Sequence, residues 1–178
     1  MTRARAFPAA ALYVALIALA NVLTSRYGLT PVGFGLAATA GVYAAGAVLT
    51  IRDTIQNVAG RPATLACIAA GTALSAAYGD GRIAAASAVA FCLAELLDLT
   101  VYTALRDRGW TVAVWASFAA AAPLDTLLFL WIAGFPTTPA GVAGQMLGKT
   151  WATAAIWALT VGSAAAARTE DEDRRARA

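Results

Sequence analysis

The chain is built from apolar blocks, most of them 18 residues or longer, separated by short polar breaks. A run of that length with few charges is enough helix to cross the hydrocarbon core of a bilayer. This feature fixes the expected fold as all-α: a polytopic integral membrane protein with six transmembrane helices in one bundle. Composition agrees. The chain is 60% hydrophobic and 13% charged, and a soluble domain carries about twice that charged fraction.

The breaks set the expected spans. The first covers 8–25, with Pro8 in a first turn, where proline is tolerated. The second starts at Thr30 as N-cap and Pro31 as first helical residue, and stops at Gly60, just before Pro62. The others cover 62–79, 82–105, 111–133 and 140–167. The basic start followed by a full-length apolar run reads as a first helix and insertion signal, not a cleaved leader. Residues 1–167 then form one transport-sized membrane domain. Residues 168–178, "ARTEDEDRRARA" from Ala167, are charged and poor in apolar groups, and are expected to be a disordered cytoplasmic tail.

Arginines divide by side. Ten fall on the side of the N-terminus: Arg3, Arg5, Arg52, Arg61, Arg106, Arg108, Arg168, Arg174, Arg175 and Arg177. Only Arg26 and Arg82 fall on the other. Basic residues gather on the cytoplasmic side of membrane proteins, so both termini are expected to be cytoplasmic. The net charge of +3 is therefore a topology signal and implies no nucleic-acid partner. The chain has no histidine, which excludes His-based triads and HExxH metal sites. Cys67 and Cys92 lie in apolar blocks and read as small hydrophobes. No zinc spacing occurs, so neither metal nor cofactor is expected, and an enzyme is the weakest functional class.

Against this background the buried polar residues stand out. Glu95 and Asp98 sit in "AFCLAELLDLTVYTAL". A carboxylate at the centre of a membrane helix costs roughly 2.5–3.5 kcal/mol on insertion scales. Glu95, Asp98 and Tyr102 share one helical face, and Phe91 lies one turn before them. At 1.5 Å per residue, Glu95 falls near the midplane. Asp125 and Lys149 fall in the outer half at similar depths and are expected to pair. Gln145 and Lys149 are four apart, beside a GxxxG formed by Gly144 and Gly148, a spacing that permits close backbone approach. Asn21 lies in the first span, and Arg52, Asp53, Gln56 and Asn57 crowd the inner end of the second. Any single polar residue here could be interhelical glue. The Glu95–Asp98 doublet is different: with Lys149 as the one cation counted inside the membrane, three carboxylates cannot all be neutralised by protein. The expected site is a mid-depth polar pocket of Glu95, Asp98, Asp125, Gln145, Lys149 and Asn21, with Asp53, Gln56, Asn57 and Phe91 around it.

Several of these stretches together resemble the VUT family of membrane proteins, the queuosine precursor transporters. They are "ANVLTSRYG", "RDTIQNVAGR", "SAVAFCLAELLDLTVYTALRDRGW", "PLDTLLFLW" and "GQMLGKTW", and they cover nearly the whole chain except the tail. The resemblance implies six helices in a bacterial cytoplasmic membrane and uptake of 7-deazaguanine bases. Such a base presents a ring N–H beside an exocyclic amino group, and one carboxylate can accept both in bidentate fashion. Phe91 or Phe129 could stack on its ring, and Lys149 or Gln145 could donate to its carbonyl. A buried carboxylate can also titrate near neutrality, so proton coupling is an open possibility. The alternative reading is a substrate-binding subunit of an ATPase-driven vitamin or nucleobase uptake complex. Expected partners are a purine-like base and the bilayer, with a homodimer left open.

Overall fold

The computed structural model describes residues 6–77 and 81–176. Five helices and one short hairpin make up the described residues: α1 (Ala6–Tyr27), β1 (Leu29–Gly33), β2 (Leu36–Thr39), α2 (Val42–Ala77), α3 (Gly81–Leu105), α4 (Trp110–Ala133) and α5 (Pro139–Ala176). A single 3-10 turn, Arg106–Arg108, links α3 to α4. Three helices are long and apolar enough to cross a membrane: α1, α3 with its 3-10 extension, and α4.

Helix α2 is two rods joined end to end. Gly60 sits at φ 79, ψ 176, outside helical geometry, in a left-handed region that costs glycine little. Pro62 follows, where the missing N–H suits a first turn. The arms 42–59 and 61–77 cover most of the segments expected as the second and third spans, with Gly60 as the break, but α2 is not among the three helices long and apolar enough to cross a membrane.

The expected start of the second span is corrected. Residues 29–39 form an antiparallel hairpin, and the helix begins only at Val42. Thr30 and Pro31 are strand residues, paired with Ala38 and Ala37. The turn explains this: Gly33, Phe34 and Gly35 all adopt positive φ, a combination that "GFG" allows and that no helix start contains. The backbone of α5 stays helical to Ala176, in a stretch rich in alanine and arginine, both strong helix formers. Arg3, Arg5, Arg177 and residues 78–80, at the junction of the expected third and fourth spans, lie outside the described residues.

Packing relies on small residues. Ala86, Ala90 and Ala94 repeat every four residues on α3 and are essentially fully buried, and α3 makes its most extensive contacts with α4. Between apolar helices in lipid, close van der Waals approach holds the bundle. Gly144 of the GxxxG lies directly against the carbonyl of Ala37 in β2, where any Cβ would collide, and Gly148 lies against Val42. The glycine pair thus docks α5 on the hairpin and the start of α2. On the opposite flank of α2, Tyr13 and Ile17 of α1 pack with Val48, Ile51 and Ile55.

Candidate functional site

A cavity opens between the helices, walled by residues of all five and by Thr39 of β2. Water centres can occupy about 60 Å³ of it, and a single water needs roughly 10–15 Å³. Its polar wall includes Asn21, Glu95, Asp125, Gln145 and Lys149, and its aromatic wall is Phe91 and Phe129. Six of the ten residues singled out from the sequence therefore meet here: Asn21, Phe91, Glu95, Asp125, Gln145 and Lys149.

Most of these polar groups are already engaged. Lys149 Nζ donates to Asp125 Oδ2 at 2.5 Å and to Thr126 Oγ1 at 2.7 Å, the ion pair expected from matched depth. Gln145 Nε2 donates to Thr39 Oγ1 at 2.9 Å. Asn21 donates to the Ser75 carbonyl at 3.3 Å and accepts from the Ser87 hydroxyl. Glu95 differs. It is 1% exposed, and neither carboxylate oxygen has a well-aligned hydrogen bond among the described residues. The buried Tyr13 hydroxyl faces it and is placed to donate to the carboxylate.

Behind Glu95 is a second polar cluster, centred on Arg52. Its guanidinium is fully buried and is ion-paired with Asp98, with Asp53 at 2.6 Å, and with Glu95 at 3.2 Å through Nε. It also donates to Gln56 at 3.0 Å. Its Cζ lies 5.6 Å from the centre of the Tyr102 ring, within the range where a cation is attracted to an aromatic face. Gln56 in turn donates to Thr103 at 2.8 Å, tying α2 to α3.

This cluster corrects the charge count made from the sequence. Lys149 is not the one cation within the bundle, because Arg52 is fully buried in it as well. Arg52 stands eight residues before the Gly60 break, about 12 Å along a helix, so its depth was readable. Its partner was not, because Asp98 is 46 residues away in sequence. Asp98, Asp53 and Gln56 surround Arg52 and do not wall the cavity. Asn57 is exposed, next to Tyr102. The hydroxyls of Thr39, Ser75, Ser87 and Thr126 carry no chemical signature in sequence and went unremarked.

Only Glu95 belongs to both groups, touching Arg52 and walling the cavity. Three carboxylates share one guanidinium, so the cluster lacks positive charge or donors, and its cavity-facing member is the least engaged.

Residues 77–166, half of the chain, match the family model described as "Putative vitamin uptake transporter". The chain belongs to this family. The comparisons with curated proteins and with solved structures returned no match. The vitamin uptake transporter match spans α3, α4 and the apolar part of α5, and so includes Phe91, Glu95, Asp98, Asp125, Gln145 and Lys149. Asn21, the hairpin and Arg52 lie before it. The family is one of membrane transporters, in keeping with the long apolar helices.

Proposed function

We propose that this chain imports a small, planar, purine-like base of the 7-deazaguanine class across a bacterial cytoplasmic membrane. The observation that carries this reading is Glu95: buried, on the cavity wall, and engaged only by the Tyr13 hydroxyl and by Arg52 Nε at 3.2 Å. A carboxylate in that state suits a ligand that brings two adjacent N–H donors, and hydrogen bonds to a charged acceptor are stronger than neutral ones. Phe91 and Phe129 supply flat apolar surface within the same cavity, where a ring can stack. Lys149 and Gln145 are the donors within reach of the base's carbonyl. Asp98, expected from sequence in the same site, is ion-paired with Arg52 and off the cavity wall, so this reading gives it the anchoring of Arg52.

The test is uptake of labelled 7-deazaguanine by cells unable to make it, paired with binding to the purified protein. Glu95→Gln should weaken binding about 10- to 150-fold, the effect of roughly 1.5–3 kcal/mol for a hydrogen bond to a charged acceptor. Saturable uptake unchanged in Glu95→Gln would remove Glu95 from the site. No saturable uptake of any purine-like base would overturn the substrate class. An ATPase subunit that co-purifies and is required for uptake would favour the binding-subunit alternative.

A further inference from the structure

We propose that Glu95 is also a proton site, and that proton and substrate compete for it. The inference rests on the reading of the cavity as a base site. It starts from the environment of Glu95 on every side. Tyr13 faces it from α1, Arg52 and Asp53 from α2, Asp98 from its own helix, Asp125 from α4 and Lys149 from α5. Lys149 is committed to Asp125 and Thr126. Arg52 is committed to Asp98 and Asp53, and meets Glu95 only through Nε, at 3.2 Å and out of hydrogen-bonding alignment. With every carboxylate ionised, the Arg52 cluster would hold two uncompensated negative charges in a bundle interior. A proton on Glu95 removes one of them. Glu95 is the member best placed to take it, because it alone of the cluster walls the cavity, which has room for water.

The consequence for transport follows from valence. An ionised Glu95, touched only by Arg52 Nε and the Tyr13 hydroxyl, keeps lone pairs on both oxygens to accept the paired N–H groups of a base. A protonated Glu95 presents an O–H on one of them and can no longer accept both. Binding therefore breaks the Glu95 O–H bond, sends the proton to water in the cavity, and replaces it with two N–H donors. Base and proton exchange at one atom pair, so the base loads more readily from the compartment of higher pH, and its import runs down the base's own gradient.

Two measurements on the purified full-length protein test this. The first needs no ligand: infrared difference spectra across a pH titration should show a buried carboxyl C=O band that titrates and is missing in Glu95→Gln. The second uses 7-deazaguanine: calorimetric titrations in buffers of different ionisation enthalpy should show proton release on binding. Affinity should rise by up to about tenfold per pH unit while Glu95 is protonated, as linkage requires. The Glu95→Gln protein should release no proton and bind with pH-independent, weaker affinity. A titrating band assigned to Asp53 or Asp98 instead, or wild-type binding without proton release, would overturn the proposal. If 7-deazaguanine does not bind while the Glu95 band is present, the substrate reading fails and the proton site stands.

Discussion

At the scale of single residues, Arg52 decides which carboxylates are structural. A buried charge left without its partner typically costs 3–5 kcal/mol. Arg52→Gln would strand three carboxylates and should abolish folded protein. Asp98→Asn removes the closest partner but leaves Asp53 and Glu95 around the guanidinium. It should lower stability by about 1–3 kcal/mol, the usual effect of leaving a buried polar group underpaired. Glu95→Gln removes a surplus negative charge, so its melting temperature in detergent should equal or exceed wild type. Equal destabilisation by both substitutions would show that Glu95 is structural too. The Asp125–Lys149 pair gives a second test. It is largely buried, so each single neutralisation should destabilise more than the double change Asp125→Asn with Lys149→Gln. A double variant no more stable than the singles would mean that the pair contributes nothing as a pair. From sequence, the depth and matching of Asp125 and Lys149 were legible, because helical rise converts position into height. The Arg52–Asp98 pair was not, because it depends on which faces of α2 and α3 meet.

At the scale of elements, helix ends marked by backbone chemistry were legible and the hairpin was not. Gly60 and Pro62 marked the break in α2, and Gly134, at φ 78, closes α4 by donating its N–H to the carbonyls of Leu130 and Trp131. The hairpin was obscured because Thr30 and Pro31 also make a plausible helix start. The informative signal was "GFG", three consecutive positive-φ residues with Phe34 exposed at the tip. The hairpin's place in the molecule depends on glycines of α5. Gly144→Ala would drive a Cβ into the Ala37 carbonyl and should destabilise by roughly 1–3 kcal/mol, as overpacking does. Gly162→Ala is the matched control on the same helix. Nothing lies within 4 Å of its added Cβ, so it should be neutral or stabilise by up to about 1 kcal/mol through helix propensity. Thermal melts of the two variants compare these directly. Equal melting temperatures would mean that α5 and β2 do not pack as described.

At the scale of the whole molecule, the remaining question is which end faces the cytoplasm, and the ends are sorted by contact. Arg82 Nε donates to the Ile132 carbonyl at 2.8 Å, which puts the start of α3 and the end of α4 together. The hairpin borders Pro136, Thr138 and Gly141 across a second cavity, so it shares that end. At the other end, the Gln56–Thr103 bond draws the Gly60 break toward the 3-10 turn at Arg106. Alternation of the helices therefore separates two faces. Withdrawing the buried Arg52 leaves nine arginines on the face of the termini and two on the hairpin face. By the positive-inside tendency, that excess makes cytoplasmic termini, with the hairpin outside over the cavity, the expected orientation. Thr137 and Arg106 are both exposed, on opposite faces, which makes them matched reporters. In a background where Cys67 and Cys92 are replaced, a cysteine at position 137 should react with a membrane-impermeant maleimide added to intact cells. A cysteine at position 106 should react only after the membrane is opened. The reverse pattern would invert the molecule and make the hairpin a cytoplasmic element. Reaction at both positions in intact cells would break the six-span arrangement itself.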